Sequence, residues 1–595
     1  MRIAVLVKQI PKFEEMELGP DGRLRRDGIE PEMNPYCRRA VSKAIELASE
    51  RSGSVVTVIT LGPPAADDTL REAIAWGLER AVDVHGVLVT DAAFAGSDTL
   101  ATAKALAAAL TREGPFDLVL TGRNSVDADT GQVGPEIAEL LDLPFLTGVR
   151  HLALNGTLVD ARCEHDDGWM QAEVELPAVL SCAERLCEPT KVDPAGRAAV
   201  PADRIRRLTA ADLGPGPWGA DASPTWVGPV KVMAVSRARI VHADAPLADQ
   251  VQQAVRVLQE RGALRTDDPG ASTDAVPAPR PDQAGPRVAV VAEPDRAHAT
   301  RELLGVAARL AAGIEGAVVA ITVEPPDAAT LGAWGADEIV HLDGDNVEED
   351  VARAVAEWAD AEPPWAILSG STAWGREVAS RVAARLGAGL TGDAVDLEVD
   401  DARLVAWKPA FGGQLVAAIG ATSPVQMATV RAGMMTAPAP RSGDPAPGVE
   451  RVEIKTRGRV RVLARTRDDD LDALAEATTV IGIGRGVAPD EYDALEPLRA
   501  LLGAELGATR KVTDEGWLPR ARQIGITGRS IAPRLCVSVG ASGKFNHSVG
   551  LRAANTVLAI NSDPGAPIFQ VADIGIVADW RDTLPLLVEQ LARPT

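Results

Sequence analysis

The segment PPWAILSGSTAWGREVASRVAARLGAGLTGDA, residues 363–394, decides the fold, because PFDLVLTGRNSVDADTGQVGPEIAELLDLPFLTGV, residues 115–149, repeats its pattern. Each runs from an apolar strand through a polar Gly/Ser loop and a helical stretch to an exit reading LTG. Outward from there the echoes stay in register. RVAVVAEP (287–294) answers RIAVLVKQ (2–9), GAVVAITVEPPD (316–327) answers GSVVTVITLGPP (53–64), and AWGADEIVHL (333–342) answers AWGLERAVDV (75–84). Matches in one order point to duplication of one unit. Short continuous apolar runs suit strands buried on both faces, and their alternation with helical patterns implies parallel sheets with right-handed crossovers. Ligands of such sheets sit beyond the carboxyl ends of the strands.

Between the echoes lies RTDDPGASTDAVPAPRPDQAGP (265–286), rich in Pro, Asp, Ala and Gly and without apolar periodicity, which reads as a linker. LADQVQQAVRVLQERGAL (247–264) before it has helical spacing. From about 467 a third α/β unit begins, with strand-like TTVIGIGRGV (478–487), RLCVSVGASGKFNH (534–547), TVLAINSDPGAP (556–567) and IGIVADW (574–580). The expected architecture is α/β: two duplicated parallel-sheet units, 1–264 and 287–466, joined by the linker 265–286, then a C-terminal nucleotide-binding unit, 467–595.

Composition narrows the function. A net charge of −23 argues against nucleic acid, which needs a basic stripe, and against a polybasic membrane contact. No apolar run is long enough to predict a membrane span, and Lys8 interrupts the N-terminus too early for a signal peptide. Five cysteines lack CxxC or zinc spacing and fit free thiols in a cytoplasmic protein. Seven scattered histidines with no HxxxH pair give no metal site, and no catalytic constellation appears.

The third unit concentrates the chemistry. SVGASGKFNHSVGL (538–551) sets His547 at the mouth of a glycine-rich turn, where backbone N–H groups can bind a pyrophosphate without basic side chains. RQIGITGRSIAPRLCVSVGASGKFNHSVGLRAANTVLAINSDPGAPIFQVADIGIVADW (522–580) resembles the flavin domain of the electron transfer flavoprotein alpha subunit. WGREVASRVAARLGAGLTGDAVDLE (374–398) resembles the first domain of that subunit, and NPYCRRAVSKAIELA (34–48) with VDADTGQVGPEIAELL (126–141) resembles the beta subunit. The resemblance implies a beta–alpha fusion that binds FAD in residues 467–595. It would shuttle electrons from flavin-dependent dehydrogenases, as in fatty acid beta-oxidation, to an acceptor such as a quinone oxidoreductase.

The resemblance also assigns roles. His547 would face the N1/C2 edge of the flavin, where charge gathers on one-electron reduction. Arg510 would lie against the ring, Thr527 would reach N5, and Arg485 would be a second FAD-contacting arginine. Thr509, Ile524, Gly525 and Ile526 flank these positions. Ser542, Gly543, Lys544, Phe545 and Asn546 would wrap the phosphate and ribityl region, with Asn561, Asp579 and Trp580 near the adenosine. Ile526 stands where the family has Gln, Thr509 where it has Ser, and Asn546 where it has Gln. Each residue also has a plain structural reading: Arg510 near a helix end, Asn561 and Asp579 as strand-end turn residues.

For the beta-like half the resemblance implies an adenine-nucleotide cleft at Leu6, Asn34, Gly62 and the loop carrying Asp127, Asp129, Thr130, Gln132, Val133 and Gly134. AMP or a second FAD could occupy it. Thr99 and Thr102, at i and i+3 of a helix starting near Asp98, favour FAD by offering hydroxyls to a longer pyrophosphate, unless they are ordinary helix threonines behind an N-cap. A second FAD would permit exchange with NADH. LCEPTKVDPAGRAAVPADRIRRL (186–208) resembles the segment that grips partner dehydrogenases, with Val200 near the anchoring position. The flavin unit, attached through RVRVLARTRDDD (459–470) and free of the linker, is expected to swivel. The alternatives are a one-FAD carrier with structural AMP, or a nucleotide-binding module without redox work.

Overall fold

The computed structural model describes all residues except 13–16, 19–23, 26–29, 167, 233–236, 266–274, 279–284, 411–414, 436, 443–445, 468–472, 475–476, 526–527, 529–530, 552 and 594–595. The duplication is explicit in the sheets. In the first, seven parallel strands run in spatial order Phe145–Asn155, Ala178–Cys182, Leu118–Gly122, Arg2–Leu6, Val55–Leu61, Asp83–Val89, Ile205–Leu208. In the second the order is Gly389–Ala394, Gln426–Val430, Ala366–Gly370, Arg287–Ala292, Ala317–Thr322, Glu338–Asp343, Val449–Glu453, also parallel. Numbered along the chain, both read 5-6-4-1-2-3-7. The strand order therefore reverses between the first and fourth strands of each unit, and ligands of open α/β sheets sit at such a reversal. The central strands are buried throughout, which is why they read as unbroken apolar runs.

Each unit adds an antiparallel excursion between its fifth and sixth strands, and the other unit completes it. The first sheet continues through Leu158–Glu164 and Gly168–Glu175 to Val460–Arg467, a strand from the second half. The second unit's excursion, Asp396–Asp400, Arg403–Ala410 and Leu415–Ala421, is closed by Thr225–Val232 from the first half. The two halves thus exchange strands reciprocally. Residues 460–467 are part of this sheet, whereas the sequence suggested a hinge there.

The third sheet is parallel, in order Ile240–Val241, Ile574–Val577, Thr556–Asn561, Leu535–Val539, Thr479–Ile483, Glu505–Ala508. Its first strand and the helix Leu247–Glu260 come from before the linker. Val251, Ala254 and Leu258 of that helix are buried in one cluster with Ile481, Val537, Ile574 and Leu584. Arg237 donates to Asp573 at 2.8 Å, and Arg261 reaches the same carboxylate at 3.1 Å. Residues 237–264 therefore pack with the third unit, where the sequence boundary at 264 put them with the first. The described part of the linker lies on the second unit: Val276 N–H donates to the Ala439 carbonyl, and Arg441 Nε donates to the Pro277 carbonyl.

Candidate functional site

The FAD candidates converge at the carboxyl edge of the third sheet. Leu535–Val539 ends in Gly540, and the chain turns through Gly543 into the short helix Phe545–Ser548. Gly543 has φ +68, and a Cβ there would lie 2.2 Å from Ile568 Cα, so only glycine fits. Asn561 clamps the turn by donating Nδ2 to the Ala541 carbonyl at 2.9 Å, and the Ser542 carbonyl accepts from Ile568 N–H. Ser542 and Lys544 are exposed, while His547 is buried.

Two further segments meet this turn. Ile524 N–H donates to the Ala508 carbonyl, which sets residues 523–525 beside Thr509 and Arg510. His547 Nδ1 lies 3.1 Å from the Ile524 carbonyl, so this nitrogen carries the proton. His547 Nε2 is shut off from solvent and has no partner among the described residues. Burial lowers the affinity of the ring for a second proton, and the Ile524 hydrogen bond partly offsets this. A buried, neutral imidazole with one unanswered nitrogen at a glycine turn is the feature that a bound flavin edge would satisfy.

The other candidates divide. Arg485 is exposed in the loop after Thr479–Ile483. Arg510 sits 3.2 Å from Asp514 and 3.6 Å from Glu184 of the first half, at the mouth between units. Asp579 caps the helix Trp580–Leu591 by accepting Arg581 N–H. The Trp580 ring is buried in the core of the third unit, and its Nε1 donates to the Gly486 carbonyl. Gly525 is buried. Ile526 and Thr527 lie outside the described residues, as do the side chains of Phe545 and Asn546.

The cleft of the first unit is built at its strand reversal. Leu6 ends the first strand, Gly62 N–H donates to the Val89 carbonyl, and buried Asn34 donates to the Asn124 carbonyl at 2.8 Å. Lys8 Nζ lies 2.9 Å from Asp127. Burial alone would raise the Asp127 carboxyl, but Lys8 outweighs it and holds the group below the usual range. Val133 and Gly134 open the helix Val133–Leu140, and Thr130 lies half-buried before it. Gln132 is already engaged, donating to the Leu390 carbonyl of the second half.

Thr99 does not offer its hydroxyl freely. Oγ1 donates to Glu136 Oε1 at 3.2 Å, and burial aided by Asp98 pushes the Glu136 carboxyl up to about 8. Asp98 is the helix N-cap, accepting Ala101 N–H at 2.9 Å. Thr102, one turn on, is half-buried.

Sequence reading missed what the second half brings to this cleft. Asp129 feels Arg376, Asp393, Lys408 and Arg431; burial, with Asp393 adding to it, raises its carboxyl against the three cations. Arg431 and Arg376 (3.6 Å) pair with buried Asp393, and Lys408 Nζ donates to the Gly392 carbonyl. Direct packing of helix Ala373–Leu386 on helix Val133–Leu140, tied by Arg381 to Glu139 at 3.0 Å, brings these distant residues together. Val200 is also corrected: at 4% exposure it packs in the core of the first unit and presents no anchor.

Among the described residues, no group of His, Cys, Asp and Glu could hold a metal ion, and no helix is long and apolar enough to cross a membrane.

Comparison with known proteins follows the same division. The electron transfer flavoprotein domain matches residues 22–204 and again 288–456, and the electron transfer flavoprotein FAD-binding domain matches 473–552. Protein FixB of Bradyrhizobium diazoefficiens is 36% identical over 306 residues, 48% of this chain and 82% of that protein. Electron transfer flavoprotein subunit alpha of Thermoanaerobacterium thermosaccharolyticum is 34% identical, covering 44% of this chain and 82% of its own length. Lactate dehydrogenase (NAD(+),ferredoxin) subunit LctC of Acetobacterium woodii is 35% identical over 50% of this chain and 73% of that subunit.

Proposed function

This chain belongs to the electron transfer flavoprotein family, and from that premise we propose that it is a single-chain electron carrier. FAD held at the carboxyl edge of the third sheet, by the Gly543 turn and His547, would supply the redox chemistry by which this chain carries electrons from a flavin-dependent dehydrogenase to an oxidoreductase, for instance one that reduces quinone. The observation that carries this is the unanswered Nε2 of His547 beside a glycine turn, inside the segment matching the FAD-binding domain.

Bound FAD supplies the one- and two-electron chemistry; the protein binds, orients and tunes it. Gly543 lets the backbone come close. The Ile524 carbonyl fixes the His547 tautomer, leaving Nε2 able to take up a proton where negative charge builds. Arg510 adds a cation at the edge that opens toward the first half.

The first-unit cleft holds a second adenine nucleotide, FAD in preference to AMP. The support is the set of Arg376, Lys408 and Arg431 around Asp129, a cationic wall from the second half suited to a long anionic ligand. Such a flavin could exchange with NADH, which makes electron bifurcation a further reading of the same site. The deciding experiment is extraction of the purified protein with FAD and AMP counted per chain. No FAD would refute the carrier reading, and one FAD with one AMP would refute the second-flavin reading.

A further inference from the structure

Away from the flavin and nucleotide candidates, an open cavity of about 540 Å³ lies where helix Val133–Leu140 of the first half ends against helices Glu348–Ala361 and Ala373–Leu386 of the second. Arg353, Arg385 and Arg457 line it, with Glu139 and Asp142 as its carboxylates. Three guanidinium groups around one opening stand out in a chain of net charge −23. A cation in the last turn of a helix is common, and that accounts for Arg385. It does not account for Arg353, early in its helix, or for Arg457, which belongs to no helix.

The carboxylates leave donors over. Glu139 is shared between Arg385, at 2.6 Å, and buried Arg381, at 3.0 Å. Arg353 donates through Nε to Glu357 at 2.9 Å. The Nη groups of Arg353 and Arg385 donate no hydrogen bond to a described residue, and these side chains are 35% and 33% exposed. Asp142 follows the end of its helix with φ +54, and its side chain is 69% exposed. Its carboxylate lies 2.6 Å from Arg457 and 3.4 Å from Arg459. Burial would raise the Asp142 carboxyl, but Arg457, Arg459 and Arg385 outweigh it and hold the group below the usual range. Asp142 acts on Arg353 as well. One exposed negative charge thus serves four guanidinium groups.

Such a carboxylate is easily displaced. An exposed ion pair is worth little, so a ligand with more charge and more acceptor oxygens outcompetes it. Guanidinium forks take phosphate oxygens in pairs, and arginines spread around an opening suit an anion with more than one phosphate. The volume is that of a small-molecule site. Leu140 and Ala384 supply the apolar wall, and no aromatic ring lines the cavity to stack a base. The chemistry selected is therefore an oligophosphate without a nucleoside.

We propose that this cavity binds a free inorganic oligophosphate, which takes the place of the Asp142 carboxylate and ties the first half to the second. None of its residues belongs to the flavin or nucleotide candidates, so its outcome is separate from that of the carrier reading. The test is calorimetric titration of the full-length, FAD-loaded protein with pyrophosphate at low salt, with saturating AMP to cover the first-unit cleft. One equivalent per chain should bind, more tightly than orthophosphate, and should raise the melting temperature. Arg353→Met should weaken binding about tenfold or more. Asp142→Asn keeps a residue that tolerates the left-handed backbone while removing the competing charge, and should tighten binding about tenfold. ADP should bind no more tightly than pyrophosphate. FAD content and thermal melting confirm that each variant is folded, and if Arg353→Met is not, Asp142→Asn carries the test alone. Absence of pyrophosphate binding, or binding that Arg353→Met leaves intact, overturns the site. Unchanged or weaker binding in Asp142→Asn overturns the displacement, and tighter binding of ADP overturns the choice of a free oligophosphate.

Discussion

Arg520 joins the third unit to the first half, and replacing it by Met should undock the two. Its Nη1 donates to Glu184 Oε2 at 3.1 Å, and its Nε lies 3.5 Å from Glu164. The Glu184 and Glu164 side chains are only 7% and 5% exposed, so their charges depend on neighbours for compensation. Removing one partner of a buried pair costs about 3–5 kcal/mol. Arg510 at 3.6 Å from Glu184 and Arg150 at 3.4 Å from Glu164 retain part of that compensation. We therefore expect about 2–3 kcal/mol, or roughly 30- to 150-fold in the docking equilibrium. Burial would raise the Glu184 carboxyl, but Arg520 and Arg510 outweigh it and hold it below its ordinary 4.5. The contribution of this contact is therefore complete above that value and is lost as pH falls through the depressed one. Small-angle scattering with hydrogen exchange across residues 183–188 and 510–522 is the assay. Arg520→Met should broaden the scattering ensemble and speed exchange at neutral pH, with FAD content retained. A scattering curve and exchange rates equal to the parent would refute the claim that this charge contact governs docking.

Other outcomes follow from the same geometry. Glu136 holds a proton in the folded state up to about pH 8 that the unfolded chain releases near 4.5, so stability should drain across that window as pH rises. Glu136→Gln should remove the slope, gaining on the order of 2–4 kcal/mol at pH 8.5 but little at pH 5, as read by denaturant melts at both pH values. Gly543→Ala should cost bound FAD, because its Cβ would collide with Ile568 backbone; a normal flavin spectrum would contradict the turn assignment. His547→Ala should lower the flavin potential in a reductive titration, while Lys544→Ala, on an exposed side chain, should shift it less. Equal potentials in all three proteins would show that the Nε2 position is irrelevant.

The duplication was legible because strands buried on both faces must be apolar along their whole length, while the loops at their carboxyl ends must be polar and glycine-rich. Those two demands print the unit twice in the chain. Strand exchange was not legible, since Val460–Arg467 pairs with Gly168–Glu175 across nearly 300 residues and nothing local names the partner. Its alternating charges, RVRVLARTR, suit an edge strand as well as they suit a connector. The fate of Thr99 was hidden for a similar reason. Glu136, its partner, sits on another helix, and sequence spacing cannot show that a threonine hydroxyl is spent on a buried carboxyl.

The missed packing also changes how the third unit can move. A unit attached at one end could rotate about any axis through that attachment. Here residues 237–264 belong physically to the third unit, held by the apolar face of Leu247–Glu260 and by Arg237 on a fully buried Asp573. The chain enters the third unit from Thr225–Val232 and again from Val460–Arg467, strands that belong to different sheets of the interlocked halves. The chain also leaves the third unit after residue 264 and passes to the second, where Val276 and Pro277 are held, so three crossings tie the unit to the interlocked halves. The third unit meets the first half through ion pairs, Arg520 with Glu164 and Glu184, Arg510 with Glu184, and Arg185 with Asp514. Charge pairs at a mouth are screened by salt, whereas an apolar seam would not be. A contact built this way should weaken as ionic strength rises, and a partner with its own charged surface would compete for the same arginines.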